Sequence, residues 1–217
     1  MEQALERNMK IKQEIVQLAS ELPLTHQLAF GATVCEKLIP DYEAFTLVHR
    51  WGNLSLLRST LNVIWELAQG KTLTPEEITE LRAVLAHITP ELDEFKSLYT
   101  MLAANATCTV DYLLQFYATH AILHIENLVK LVGNGIGYYI QGVGYPSATF
   151  LSQDETKRFL EWVYNAPMLL TEYAYQKRDL ELLKASPQLT VEVLSQLQKN
   201  AQQGGIGILR NGLIVKH

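Results

Sequence analysis

Cysteine is scarce in this chain of 217 residues, which has only Cys35 and Cys108. Two are too few for a disulfide framework or for a zinc site built on cysteine. Long apolar runs are missing as well. No stretch reaches the roughly 18 uninterrupted apolar residues that a membrane-spanning helix needs. The longest candidate, Leu128 to Tyr145, is broken by Lys130, Asn134 and Gln141. Positive charge is not in excess: the formal net charge of -5 repels a phosphate backbone. No run of Lys and Arg offsets it, so nucleic acid is not an expected partner. The opening residues, MEQALERNMKIKQEI, are charged and amphipathic and lack the apolar core of a secretory signal. A cytoplasmic protein without a membrane partner is the expectation.

What is present is a globular composition, 48% hydrophobic and 19% charged, enough for a substantial core. Helical spacing runs through it. Leu24, Leu28, Ala32, Cys35 and Ile39 recur at three- and four-residue steps, one helix face that Pro40 is expected to end. Asp41 would then cap a following helix through Tyr42, Phe45 and Val48, stopped at Gly52. Leu57, Leu61, Ile64 and Ala68 make another stripe, closed by Gly70. In TPEE, Thr74 is placed to cap, Pro75 to take the first helical position and Glu77 to complete a capping box. SQDE repeats this at Ser152 and Glu155. Pro167 and Pro187 bracket a further helix, and another runs from Val191 to Gln202.

Phe95 to Val143 reads as two long helices at the centre of a bundle, broken between His120 and His124. No internal repeat or low-complexity linker divides the chain. The expected fold is therefore all-α, a single-domain multi-helix bundle over residues 1–217. Helices occupy 1–205, and a short C-terminal β-hairpin or extended tail occupies 206–217. That arm, IGILRNGLIVKH, has two β-prone halves around Asn211-Gly212, a strong hairpin-turn signal. A lone two-stranded hairpin is marginal in water, so it must dock on the helices or pair with another chain. A homo-oligomer is expected on that ground.

Chemistry has fewer handles. His120 and His124 are spaced i, i+4, which on one helix puts both imidazoles on one face, as many metal sites need. His26, His49, His87, Glu36 and Asp111 are the candidate third ligands. Both histidines also continue the apolar stripe of Leu113, Tyr117, Leu128 and Leu131, the pattern of hydrogen-bonded core histidines. The expectation is no cofactor, with a divalent metal at His120 and His124 as the alternative. Glu-x-x-His is absent, which excludes a di-iron carboxylate bundle.

GNGIGYYIQGVG invites a nucleotide-loop reading, but Tyr138 stands where the third glycine of G-x-G-x-x-G belongs, and no convincing strand precedes it. Gly133, Gly135 and Gly137 instead predict a helix on which a neighbour packs closely. Cys35 is followed by Glu36, which raises a thiol pKa, and no histidine lies within the same turn; burial is its expected fate. Glu36, Glu66, Asp111, Glu126 and Glu172 lie in or beside apolar helix segments. Convergence of two in a cleft would split their pKa values and allow acid–base work. Ion pairs with Lys37, Arg58, Arg82 or Arg178 are the plainer role. Glu36, Asp111 and Glu172 are the candidate functional carboxylates.

LAFGATVCEKLIPDYEAF resembles the signature of the YjaG-like proteins, domain-of-unknown-function family 416, in which a Cys-Glu-Arg/Lys triplet precedes a proline, an aromatic residue and a phenylalanine. The similarity continues in LRSTLNVIWELAQG, NATCTVDYLLQF and LLTEYAYQKRDLELLK, and returns at Gly205 to Ile208. The histidine pair, the glycine-rich stretch and the arm after Ile208 depart from it. The resemblance implies an all-α bacterial cytoplasmic protein of unknown activity and supplies no catalytic residues. Two functional readings follow. The first is a non-catalytic protein-interaction module acting as a homo-oligomer. The second is a metal-dependent or small-molecule enzyme, ligand unknown, with a site between central helices at His120 and His124.

Overall fold

Where an apolar stripe is bounded by a cap and a stop, the chain coils. The computed structural model describes residues 2–144 and 152–203, and among these are nine α-helices and no strand. They are α1 (Glu2–Ser20), α2 (Leu24–His49), α3 (Leu54–Ala68), α4 (Pro75–Ile88), α5 (Leu98–Thr119), α6 (Leu123–Gly144), α7 (Gln153–Asn165), α8 (Pro167–Lys184) and α9 (Val191–Gln203). The hairpin expected at 206–217 lies outside the described residues.

Local chemistry sets the starts. Both anticipated capping boxes form: Thr74 and Glu77 exchange side-chain and backbone bonds ahead of α4, and Ser152 and Glu155 do so ahead of α7. Asn53 caps α3 by accepting from the Leu56 N–H, and Ser97 caps α5 by accepting from Thr100. The stops differ more from expectation. Arg50, at φ 51°, ends α2 in the left-handed region ahead of Gly52. His120, at φ 57°, ends α5 the same way, its N–H bonded to the Phe116 carbonyl.

Pro40 does not end its helix. α2 runs unbroken through it, although the proline has no N–H for the Glu36 carbonyl. The reason is that the apolar stripe does not stop there. Cys35, Leu38 and Ile39 before the proline and Tyr42 and Phe45 after it are all buried, and breaking the rod would expose one set. Asp41 is accordingly a buried residue inside the helix rather than a cap, and the corner lies ten residues later.

That continuity makes α2 the axis of the bundle. From Leu28 to Cys35 and from Lys37 to Tyr42 every residue is buried, leaving Glu36 the exception. A helix buried all round has neighbours on every side, and α2 packs against α1, α3, α5, α6, α8 and α9. The sequence places the centre in the Phe95–Val143 helices; they are α5 and α6, but they flank α2. Gly31 permits the closest approach, since a Cβ there would sit 2.5 Å from a Leu113 methyl on α5. One apolar core joins residues from all nine helices, from Ile15 on α1 to Leu197 on α9.

Candidate functional site

The largest concentration of buried polar chemistry lies where α2, α8 and α9 meet. On α8, Glu172, Gln176 and Asp179 follow at i, i+4 and i+7, one face of the helix, and that face points inward. All three are buried, as is Asn200 on α9. Lys37 projects into them from α2 with a fully buried side chain. Its ammonium donates to Glu172 Oε1 at 3.1 Å and lies 3.6 Å from Asp179 Oδ2. Gln176 also donates to Glu172 Oε1, at 2.9 Å. Asn200 and Arg178 both donate to Asp179 Oδ1, at 2.9 and 3.1 Å. The ring of Tyr175 lies beneath both cations, with Lys37 Nζ 5.8 Å and Arg178 Cζ 4.9 Å from its centre.

Donors are unevenly shared in this network. Glu172 Oε2, Asp179 Oδ2 and Gln176 Oε1 are buried acceptors with no hydrogen bond, although Lys37 attracts Asp179 Oδ2 electrostatically. Burial therefore raises the Glu172 pKa; Lys37 and Gln176 pull against it, and the nearby Asp179 carboxylate adds to it. A buried pair of this kind adds little net stability over a well-packed apolar replacement, although removing one partner alone is costly. None of the hollows described below is lined by Lys37, Glu172 or Asp179.

The other candidate carboxylates lie elsewhere. Glu36, on the one partly open edge of α2, accepts from Arg58 and, at 3.1 Å, from the Trp65 indole, both on α3. Asp111 on α5 binds Arg82 of α4 at 2.6 Å and accepts from Gln115. Glu66 pairs with Lys71 at the surface, and Glu126 is exposed on α6. Glu36, Asp111 and Glu172 thus occupy three separate places, each with its own cation. Burial raises both thiols, with Glu36 adding to the effect at Cys35 and Asp111 at Cys108.

The histidines are separated by the chain's own turn. His120 is the exposed stop of α5, lining a hollow of about 740 Å³, whereas His124 belongs to α6 and lies 6.1 Å from the Tyr112 ring. The shared helix face implied by their spacing does not exist, because the helix ends between them. His26 hydrogen-bonds to the Ser186 carbonyl at 2.8 Å, and His49 to the Ser97 hydroxyl at 2.8 Å. Among the described residues no three His, Cys, Asp or Glu side chains are grouped as metal ligands.

The glycine-rich stretch lies inside α6. A Cβ at Gly133 would be 3.3 Å from the Tyr173 hydroxyl and 3.6 Å from Lys12 Nζ. Gly133 and Gly137 border a cavity of about 200 Å³ between α1, α6, α7 and α8, while Gly135 faces Asn105 and Leu102 on α5. The sequence names Lys37 as an ion-pair partner, and it meets Glu172; Lys12, Asn8 and Tyr173 do not stand out in it. The available signals were a lysine inside an apolar run and two polar stripes at helical spacing, Asn8–Lys12 on α1 and Glu172–Gln176–Asp179 on α8.

A family model described as "Protein of unknown function (DUF416)" matches residues 11–209. No curated protein is significantly similar to the chain. Among solved structures, the crystal structure of a DUF416 family protein from Shewanella baltica OS155 superposes with a TM-score of 0.73 at 20% identity, covering 88% of this chain and 94% of that one. At that identity the likeness concerns the fold alone.

Proposed function

The chain belongs to the DUF416 family of proteins of unknown function, and from its own side chains we propose that it is a non-catalytic helical module, cytoplasmic, that acts through protein contacts as a homo-oligomer. The observation that carries this reading is an apolar corner at one end of the bundle. Leu47 and Val48 close α2, Leu56 opens α3 and Leu92 lies in the α4–α5 loop, exposed by 67, 44, 37 and 52%. Phe95 of that loop packs edge-on against Phe45 at 5.4 Å and lies 5.3 Å from Trp51, so loop and helix end share one base. Single exposed apolar residues are ordinary, but four at one end mark a contact surface.

The occupant we assign is a second copy of the chain. An isologous interface must be self-complementary, which both charge signs around one apolar patch allow, and this end carries Arg50 and Lys96 beside Glu91, Asp93 and Glu94, all exposed. The pairing of Glu36, Asp111 and Glu172 with their own cations supports a non-catalytic role. Sedimentation equilibrium of the full chain tests the proposal. Wild type is expected to dimerise in the micromolar range, and Leu47→Ser with Leu92→Ser to weaken the dimer at least about tenfold. A wild type that stays monomeric at about 100 μM, or a double variant that dimerises unchanged, overturns it.

A further inference from the structure

The cavity between α1, α6, α7 and α8 is lined by polar groups that the described residues leave unsatisfied. Asn8 is almost wholly buried on α1 and lines this cavity. The Tyr173 hydroxyl donates to its Oδ1 at 3.2 Å, while its Nδ2 has no partner. One turn along α1, half-buried Lys12 lines the same cavity, and among the described residues it has no carboxylate partner. Burial and the nearby Lys130 lower the Lys12 pKa. Lys12, Asn134 and Tyr164 also line a second, wider hollow of about 660 Å³ along α1 and α6. Glu126 lines that hollow four residues before Lys130 on the same helix, the spacing at which the two charges face one another.

We propose that this cavity is a binding site for a small organic monocarboxylate, whose charged group is received by Lys12 and the Asn8 amide and whose apolar body lies against Phe159, Val163 and Leu169. The chemistry selects that class. Lys12 and Asn8 Nδ2 offer only donors, and the Tyr173 proton is already committed to Asn8. A ligand must therefore bring acceptors, and a neutral one would leave the ammonium uncompensated. Two donors suit the two oxygens of a carboxylate. A phosphate would bring further oxygens and charge against the apolar wall formed by Val163 and Leu169. The cavity, at about 200 Å³, has room for a small organic molecule rather than a single water. Gly133 keeps it open, since any side chain there would approach both Tyr173 and Lys12.

Calorimetry and ligand-observed NMR on the full chain provide the test, with sodium benzoate and sodium hexanoate as probes. Benzyl alcohol serves as the neutral analogue and inorganic phosphate as the competing anion. Saturable benzoate or hexanoate binding is expected, with benzyl alcohol at least about tenfold weaker than benzoate. Lys12→Met should weaken benzoate at least about tenfold and leave benzyl alcohol unchanged. Gly133→Ala, which fills space without altering charge, should weaken both. If Lys12→Met fails to fold by circular dichroism, the benzoate–benzyl alcohol ratio and Gly133→Ala decide the matter. The proposal is overturned if neither carboxylate saturates by about 10 mM, if Lys12→Met binds benzoate like wild type, or if phosphate binds more tightly than the carboxylates.

Discussion

Glu172 shows how one residue's surroundings set the sign of a pH dependence. Lys37 and Gln176 both bond to its Oε1, leaving Oε2 buried without a donor. The ion pair compensates half a carboxylate, and burial penalises the whole of it, so the folded pKa lies above the ordinary value of 4.5. Between those two values the folded state keeps a proton that the unfolded state has lost, and stability falls as pH rises. Glu172's neutral form contributes fully below 4.5, and that contribution is lost as pH passes the folded value. Glu172→Gln cannot titrate. In urea denaturation, the stability of wild type minus that of Glu172→Gln is expected to fall from about pH 4 to about pH 7. A difference that rises over this range would mean that Lys37 outweighs desolvation.

At the scale of the element, α2 sets a local rule against a tertiary one. Proline inside a helix costs about 3 kcal/mol relative to alanine, yet the helix runs through Pro40 because residues on both sides of it are buried. Pro40→Ala restores an N–H to the Glu36 carbonyl but removes about two buried methylenes, worth about 0.8 kcal/mol each. The backbone gain is the larger, so Pro40→Ala should raise stability by about 1 kcal/mol, seen as an increased urea midpoint without a change in slope. A lower midpoint would show that the ring's packing dominates. The same contest explains what the sequence could reveal. Capping chemistry is local, so Thr74–Glu77 and Ser152–Glu155 were legible to the residue. Pro40 was misread because its outcome depends on neighbours distant in sequence. For His120 and His124, four-residue spacing implies a shared face only if the helix continues, and a left-handed residue ends it.

For the whole molecule, what spacing leaves undetermined is which helix is surrounded and which buried charges meet. Lys37 and Glu172 are 135 residues apart in sequence, and no periodicity links them. Their meeting has a mechanical consequence: through Lys37, the polar face of α8 and the Asn200 amide of α9 are tied to α2, the axis on which α1, α3, α5 and α6 also pack. Lys37→Met keeps the length and apolar stem of the side chain while leaving two buried carboxylates without their shared cation. Breaking a buried pair in this way costs about 3–5 kcal/mol, well above the loss of an ordinary hydrogen bond at about 1 kcal/mol. The loss should be local first, because α3 and α5 pack on α2, and α4 on α3 and α5, through contacts that the substitution leaves intact. Hydrogen exchange is the discriminating measurement. Lys37→Met should lose amide protection in α8 and α9 before α3, α4 and α5, whereas equal loss across all the helices would mean that the network is an ordinary part of the core. A second substitution sharpens the outcome: adding Glu172→Leu should recover part of the lost stability, since it removes one of the stranded charges and fills its place with apolar volume.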